Sequence, residues 1–456
     1  MKINRKNFIR SSAAFLGTLY LNQLFAESTQ KIPNSSKRKS ALVIGSGLSG
    51  LYAAHLLQNS GYKVKVIEAR NRIGGRIYTF QDKRSSTMGE LGAEFIYGYQ
   101  EHLLKLCEVL GVKIYEHSIE TSMFLNGKYI PFNEVGENPR THKILVKVTE
   151  MYTKMSDEQK EGLDKLSAAN YLSYQGVDKK ELFLLELKYS LYYGESLRHV
   201  SANDFIQALA KIYNKKNKIF KINGGTDSLL KAFVTHIGKQ NIKVNNPVVS
   251  ITQNKDKVSV KTKKGKEYKA DICICTVPSS VMNQIQWSPD LTKEKKIANL
   301  QVKYGRITKI FSQFNNADWI NKNWHILTDR LLQYVYATDI NTSLNTGVLT
   351  LVSTGDKSDL FTSLDEWGLR TVLYSNLRNF NYNPTTSKLE QIQWVNWQHE
   401  PFIKGSYSIF SPGMYYVKEH LQKPFGRVFF AGEHIAKESG SMESCLLSVL
   451  NAVKQI

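Results

Sequence analysis

Three glycines and a carboxylate carry the first recognisable chemistry in this chain. In Gly45-Ser46-Gly47-Leu48-Ser49-Gly50, the first glycine permits a tight turn and the second lets the backbone approach a pyrophosphate. The third lets a helix pack close to the preceding strand. Leu48 and Ser49 fall where that helix begins. The free N–H groups and partial positive charge of a helix start suit phosphate oxygens. Glu68 ends the next apolar run, where a carboxylate accepts ribose hydroxyls and repels a 2′-phosphate. A lone glycine triplet is a weak signal. With an acid after the second strand it reads as a dinucleotide site.

The elements that must hold these groups are legible too. Ala41-Leu42-Val43-Ile44 is a continuous apolar run, as expected of a buried parallel strand. Leu51, Ala53, Ala54, Leu56 and Leu57 recur at helical spacing, and Val64-Lys65-Val66-Ile67 is a second strand. Hydrophobic residues at 42% and charged residues at 22% exclude a disordered chain, a collagen and a polytopic membrane protein. The length of 456 residues leaves room for at least two domains. Cys107, Cys273, Cys275 and Cys445 form no C-x-x-C pair, so they read as buried thiols, and no metal site is expected. The net charge of +21 is spread along the chain. It predicts a basic surface with no specific nucleic-acid partner.

The N-terminus has the layout of an export signal over residues 1–26: a basic front (Lys2, Arg5, Lys6, Arg10), an apolar stretch from Ser11 to Phe25, and Ala26. Its run Asn4-Arg5-Lys6-Asn7-Phe8-Ile9-Arg10 resembles a twin-arginine signal, with Lys6 in place of the second arginine. The expectation is an exported, periplasmic protein. The apolar stretch is too short for a transmembrane anchor, and residues 27–39 read as a linker.

Glu68-Ala69-Arg70-Asn71-Arg72-Ile73-Gly74-Gly75-Arg76 resembles a segment of the flavin amine oxidase family, which includes monoamine and polyamine oxidases and histone-lysine demethylases. Further blocks are similar to that family in the same order. They are Glu90 to Gly98, Ile222 to Leu229, Pro247 to Ile251, Ala270 to Pro278, Tyr304 to Lys309, Trp397 to Ser408, and Phe429-Phe430-Ala431-Gly432-Glu433-His434. The resemblance implies FAD as cofactor. Arg70, Gly75 and Arg76 would approach its phosphates and ribose. Gly92, Ala93 and Glu94 belong to a second flavin-contacting loop, and Val248 would lie by the adenine. Gly432 and Glu433 would meet the ribityl chain, and the backbone of Met442 the flavin pyrimidine. Lys309 stands where the family lysine holds a water beside flavin N5. Trp397 and Tyr407 stand at aromatic positions of the substrate cavity. Ser406 occupies the place of the cysteine that carries covalent FAD in some relatives, so non-covalent FAD is expected. Ser441 replaces a second cage aromatic, and Phe95 stands where amino-acid oxidases carry an arginine. Glu94 is then a candidate to attract a cationic amine.

The fold expected is a two-domain α/β flavoprotein. A Rossmann-like FAD part (40–98, 220–288 and 395–456) is interleaved with a substrate part of mixed sheet and helices (99–219 and 289–394), in which residues 141–219 carry helical apolar patterns (Ile144, Leu145, Val148; Leu182, Leu184, Leu185, Leu187). The activity expected is oxidation of an amine to an imine by hydride transfer to the flavin, with oxygen or another acceptor regenerating it. L-amino-acid oxidation, another flavin-dependent dehydrogenation, and a non-catalytic FAD-binding role are the alternatives. The oligomeric state is open.

Overall fold

A computed structural model describes residues 39–82, 87–135, 138–214, 218–322, 324–341, 344–380 and 382–456. The predicted export signal and the linker up to residue 38 lie outside the described residues.

Ser40–Ile44 is the centre of a parallel sheet of five strands, in the order Ile242–Lys243, Lys63–Ile67, Ser40–Ile44, Ile272–Cys275, Val428–Phe430. Buried on both faces, these strands carry the continuous apolar runs that parallel sheets require. The glycine-led helix Leu48–Asn59 covers one face, packed between Asp227–Ile237 and Met442–Val453. Leu51, Leu57, Val66, Phe233, Leu446 and Val449 form the core there, each buried leucine contributing about 1.5–3 kcal/mol. Leu103, Leu106 and Cys107 of helix Glu101–Val109 join this same core. Cys273 and Cys275 are buried free thiols of the central sheet.

Five helices, Pro139–Thr153, Asp157–Asp164, Ala168–Tyr174, Lys179–Tyr193 and Ala202–Asn214, fill the stretch whose apolar spacing is helical. Local chemistry starts them: Ser156 and Gln159 make a reciprocal capping box, and Asp178 accepts from the N–H of Glu181. Lys179–Tyr193 ends at Gly194, at φ +67. A Cβ there would lie 2.7 Å from Ser406 Oγ and 2.8 Å from Ile307 Cγ1. Glycine is therefore what lets the helical unit approach the sheet that carries the site.

That second sheet has seven strands, in the order Leu389–Asn396, Ile307–Asn315, Thr346–Thr354, Tyr334–Asn341, His325–Thr328, Ser122–Leu125, Lys128–Ile130. Its register aligns Val395, Lys309, Val352 and Tyr334 in one row. Phe311, Thr350, Tyr336 and His325 form the next row. Side chains alternate faces with a period of two, so both rows share one face. Ile310, Phe314, Val335 and Leu349 point the other way, into a separate core.

Candidate active site

The glycine turn is fastened by the residues that mark it. Glu68 accepts from Ser46 N (2.8 Å), Ser46 Oγ (2.7 Å) and Arg70 N (2.8 Å). A Cβ on Gly45 would come within 2.4 Å of Thr276 Oγ1, and one on Gly50 within 2.0 Å of Gly45 O, so packing alone demands these two glycines. Gly47 is different. Its φ of −67° suits any residue, no side chain caps the helix it precedes, and a Cβ would meet nothing closer than 3.9 Å. The space left open at a helix start fits a pyrophosphate, and the residues present therefore fit FAD.

Around this cradle, Arg70 pairs with Glu400 at 2.8 Å, and Arg72 donates to the carbonyls of Ile73, Ile77 and Gly75. Ala69 lies between Glu68 and Arg70, and Gly75 follows Gly74 with φ +58. Arg76 donates to Glu433 Oε1 at 2.7 Å and to the carbonyl of Ser406. Glu433 also accepts from Ser408 Oγ (2.7 Å) and Gly440 N (2.9 Å). Burial alone would raise its pKa, but Arg76, His434 and these bonds hold it below the ordinary carboxylate value. Gly432 precedes it, its N–H bonded to Ser448 Oγ. Met442 opens the last helix, which Ser441 caps by accepting from Ser444 N at 3.0 Å. Val248 begins strand Val248–Gln253, at a bulge.

The second half of the site is an ion cluster. Lys309 donates to Glu94 Oε2 at 2.9 Å and to the carbonyl of Gly92 at 3.1 Å. Lys221 lies 2.8 Å from Glu94 Oε1, and the hydroxyl of Tyr336 also donates to Glu94. Ala93 is tied to the Arg76 carbonyl at 3.1 Å. Burial opposes ionisation of Glu94, yet the two ammonium groups hold its carboxyl far below the usual range. Its charge is therefore already met inside the protein. Nearby Glu90 is pushed up to about 7 by burial and by the Glu94 charge.

Phe95, Tyr97, Tyr334 and Tyr407 surround this cluster and are all only partly buried, although they lie between the two halves of the molecule. Trp397 belongs to the same cluster but is 3% exposed, and its Nε1 donates to Leu91 O at 2.9 Å. It is a packed wall rather than a free ring. Ser406 Oγ donates to Gly305 O at 2.9 Å.

Lys221, Tyr336, Tyr334, His325 and His117 were not legible as site residues. Lys221 arrives because strand Ile219–Ile222 pairs with Ile96–Tyr97, two residues beyond Glu94. Only the alternation of Tyr334 and Tyr336 on one strand face was a usable signal.

The family model described as flavin containing amine oxidoreductase matches residues 48–456. The chain is 26% identical to an L-amino-acid oxidase of Siganus canaliculatus, covering 98% of this chain and 90% of that protein. It is 27% identical to an L-amino-acid oxidase of Mus musculus, over 95% of this chain and 73% of that one. The structure resembles cyclohexylamine oxidase from Brevibacterium oxydans IH-35A with a TM-score of 0.79 at 19% identity, covering 92% of this chain and 98% of that one. It resembles putrescine oxidase bound to putrescine with a TM-score of 0.76 at 19% identity, again over 92% and 98%.

Proposed function

The chain belongs to the flavin containing amine oxidoreductase family, and on that premise we propose that it oxidises a C–N bond of a small mono- or polyamine to an imine. The observation that carries this reading is the set of partly buried aromatic rings, Phe95, Tyr334 and Tyr407, on the Lys309 side of the sheet. Phe95 offers an apolar ring where a carboxylate clamp would otherwise stand, stacked on His117 at 5.9 Å. With Glu94 neutralised by Lys221 and Lys309, that carboxylate offers no free charge to an ammonium. Low polarity favours the uncharged form at the reacting centre, so an amine that enters protonated must give up a proton inside the site.

FAD, when bound, supplies the hydride acceptor. Glu68 would take the ribose hydroxyls, and the Gly47 backbone with the helix start at Leu48–Ser49 the pyrophosphate. Arg76, Glu433 and the N–H groups at Met442 would orient the rest, and Val248 would lie by the adenine. Lys309 commits two of its three N–H donors to Gly92 and Glu94, leaving the third to hold a water. Tyr407 and the packed Trp397 would exclude bulk solvent. Export through the basic and apolar stretch of residues 1–26, and the interleaved division into FAD and substrate parts, belong to the same reading.

A second reading, oxidation of an α-amino acid, is favoured by the L-amino-acid oxidase relatives and by the ammonium of Lys221 beside Phe95, 5.8 Å from its ring centre. Anaerobic flavin reduction against amines and their matching α-amino acids separates the two. The amine should bleach the flavin faster, and a faster α-amino acid overturns the first reading in favour of the second.

The flavin should also be free of any covalent bond. Ser406 has no thiol, and its hydroxyl is engaged with Gly305. Acid precipitation should therefore release yellow flavin to the supernatant. Colour retained on the washed pellet would contradict this.

A further inference from the structure

We propose that Tyr334, His325 and His117 form a proton relay that carries the proton of a bound ammonium out of the substrate space. The proposal rests on the amine reading above.

An alkylamine arrives protonated at neutral pH, since its pKa is about 10. Hydride can leave the carbon only when nitrogen has a free lone pair, so one proton must depart first. The groups around Lys309 cannot take it. Both oxygens of Glu94 are engaged by Lys309, Lys221 and Tyr336, and the two lysines are donors. Glu90 is enclosed by the Thr79 hydroxyl and the Thr226 N–H.

The sheet face that carries Lys309 offers another route. Tyr334 lies in the same row and is only partly buried, packed with Phe95 and Tyr407. Its hydroxyl is 2.6 Å from His325 Nδ1, and the Nε2 atoms of His325 and His117 are 3.2 Å apart. The rings are held by stacking: His325 on Tyr336 at 5.6 Å and 7°, His117 on Phe95 at 5.9 Å and 20°. His325 is 2% exposed, while His117 is half-buried at the end of Ile114–His117. The chain of hydrogen bonds thus runs from a buried ring to a half-buried one. Lys221 and Glu94 are the charged groups that face the pair. Burial lowers the pKa of His325 to about 4, helped by His117, and lowers that of His117, helped by Lys221. Both imidazoles are therefore neutral at physiological pH, with one acceptor and one donor nitrogen each, as a conduit requires.

The transfer conserves every proton. The ammonium gives one to the Tyr334 oxygen as the Tyr334 hydroxyl proton passes to His325 Nδ1. The proton on His325 Nε2 passes to His117 Nε2, and that on His117 Nδ1 leaves to water. The electron pair stays on the substrate nitrogen. Both rings exchange tautomers, and they reset when oxygen, on taking the two electrons of the hydride, draws one proton inward from water through the same atoms to form peroxide.

His325→Ala in the FAD-loaded protein should slow flavin reduction by an amine at pH 7 by about 100-fold. At pH 10, where about half of the amine arrives uncharged, the variant should come within about 2-fold of wild type. Imidazole should restore the rate at pH 7. 1-Methylimidazole fills the same space but has no N–H to pass on, and should not. His117→Gln, a change at the half-buried end, should show the same pH pattern should His325→Ala not fold. Without substrate, imidazole 15N shifts at pH 6 should show His325 neutral and protonated on Nε2. The relay is overturned by equal rates at pH 7, by rescue with both imidazoles, or by a His325 imidazolium at pH 6. If no amine reduces the wild-type flavin, the amine reading falls first and the relay with it. That outcome is distinct from a wild type that is reduced and variants that keep pace.

Discussion

Glu94→Gln should destabilise the FAD-loaded protein by about 3–5 kcal/mol, the scale for removing one partner of a buried ion pair. The carboxylate lies between Lys309 and Lys221, both within 2.9 Å. An amide leaves two ammonium groups facing each other without a counter-charge. Chemical denaturation at pH 7 measures the loss. The pH dependence has a definite sign. The Glu94 carboxyl is held far below its ordinary value, so its contribution is fully present above the unfolded pKa of about 4.3 and is lost only as pH falls through the depressed folded value. The gap between wild type and variant should stay level from pH 5 to 8 and narrow only in stronger acid. Adding Lys221→Met to the variant should recover part of the loss, because one of the two stranded cations is gone. A difference below about 1 kcal/mol would place this cluster among solvent-screened ion pairs.

Gly47→Ala should leave the apoprotein as stable as wild type and weaken FAD binding by about 100-fold, or about 2.7 kcal/mol. A Cβ at this position meets no protein atom within 3.9 Å, so only a ligand can object to it. Gly50→Ala should do the reverse and compromise folding itself, since its Cβ would lie 2.0 Å from the Gly45 carbonyl. Titration of apoprotein with FAD, beside a denaturation curve, measures both. Undiminished FAD affinity in Gly47→Ala would mean that the pyrophosphate does not lie against this turn.

The amino-acid order alone determined the dinucleotide half. Gly45 to Gly50, the strand before them, the helix after them and Glu68 are consecutive or nearly so, and their function follows from backbone conformation over a few residues. The family blocks up to Phe429–His434 extended that reading to FAD and to amine oxidation, and the family match and the α/β architecture bear it out. The helices between residues 139 and 214 were legible from apolar spacing for the same local reason.

Tertiary structure decided what the charged and aromatic groups do to one another. Glu94 read as a free acid beside Phe95, because nothing in the local sequence reveals that Lys221 and Lys309 converge on it from two other strands. Trp397 read as a cavity aromatic, but the Leu91 carbonyl takes its N–H and buries the ring. His117 and His325 lie far apart in the chain, and only the pairing of two different sheets brings their rings within 3.2 Å. A glycine turn is specified by its own backbone. A buried charge or imidazole is specified by whichever partner the long-range strand register delivers, because each desolvated polar atom must be satisfied by the groups that packing places beside it.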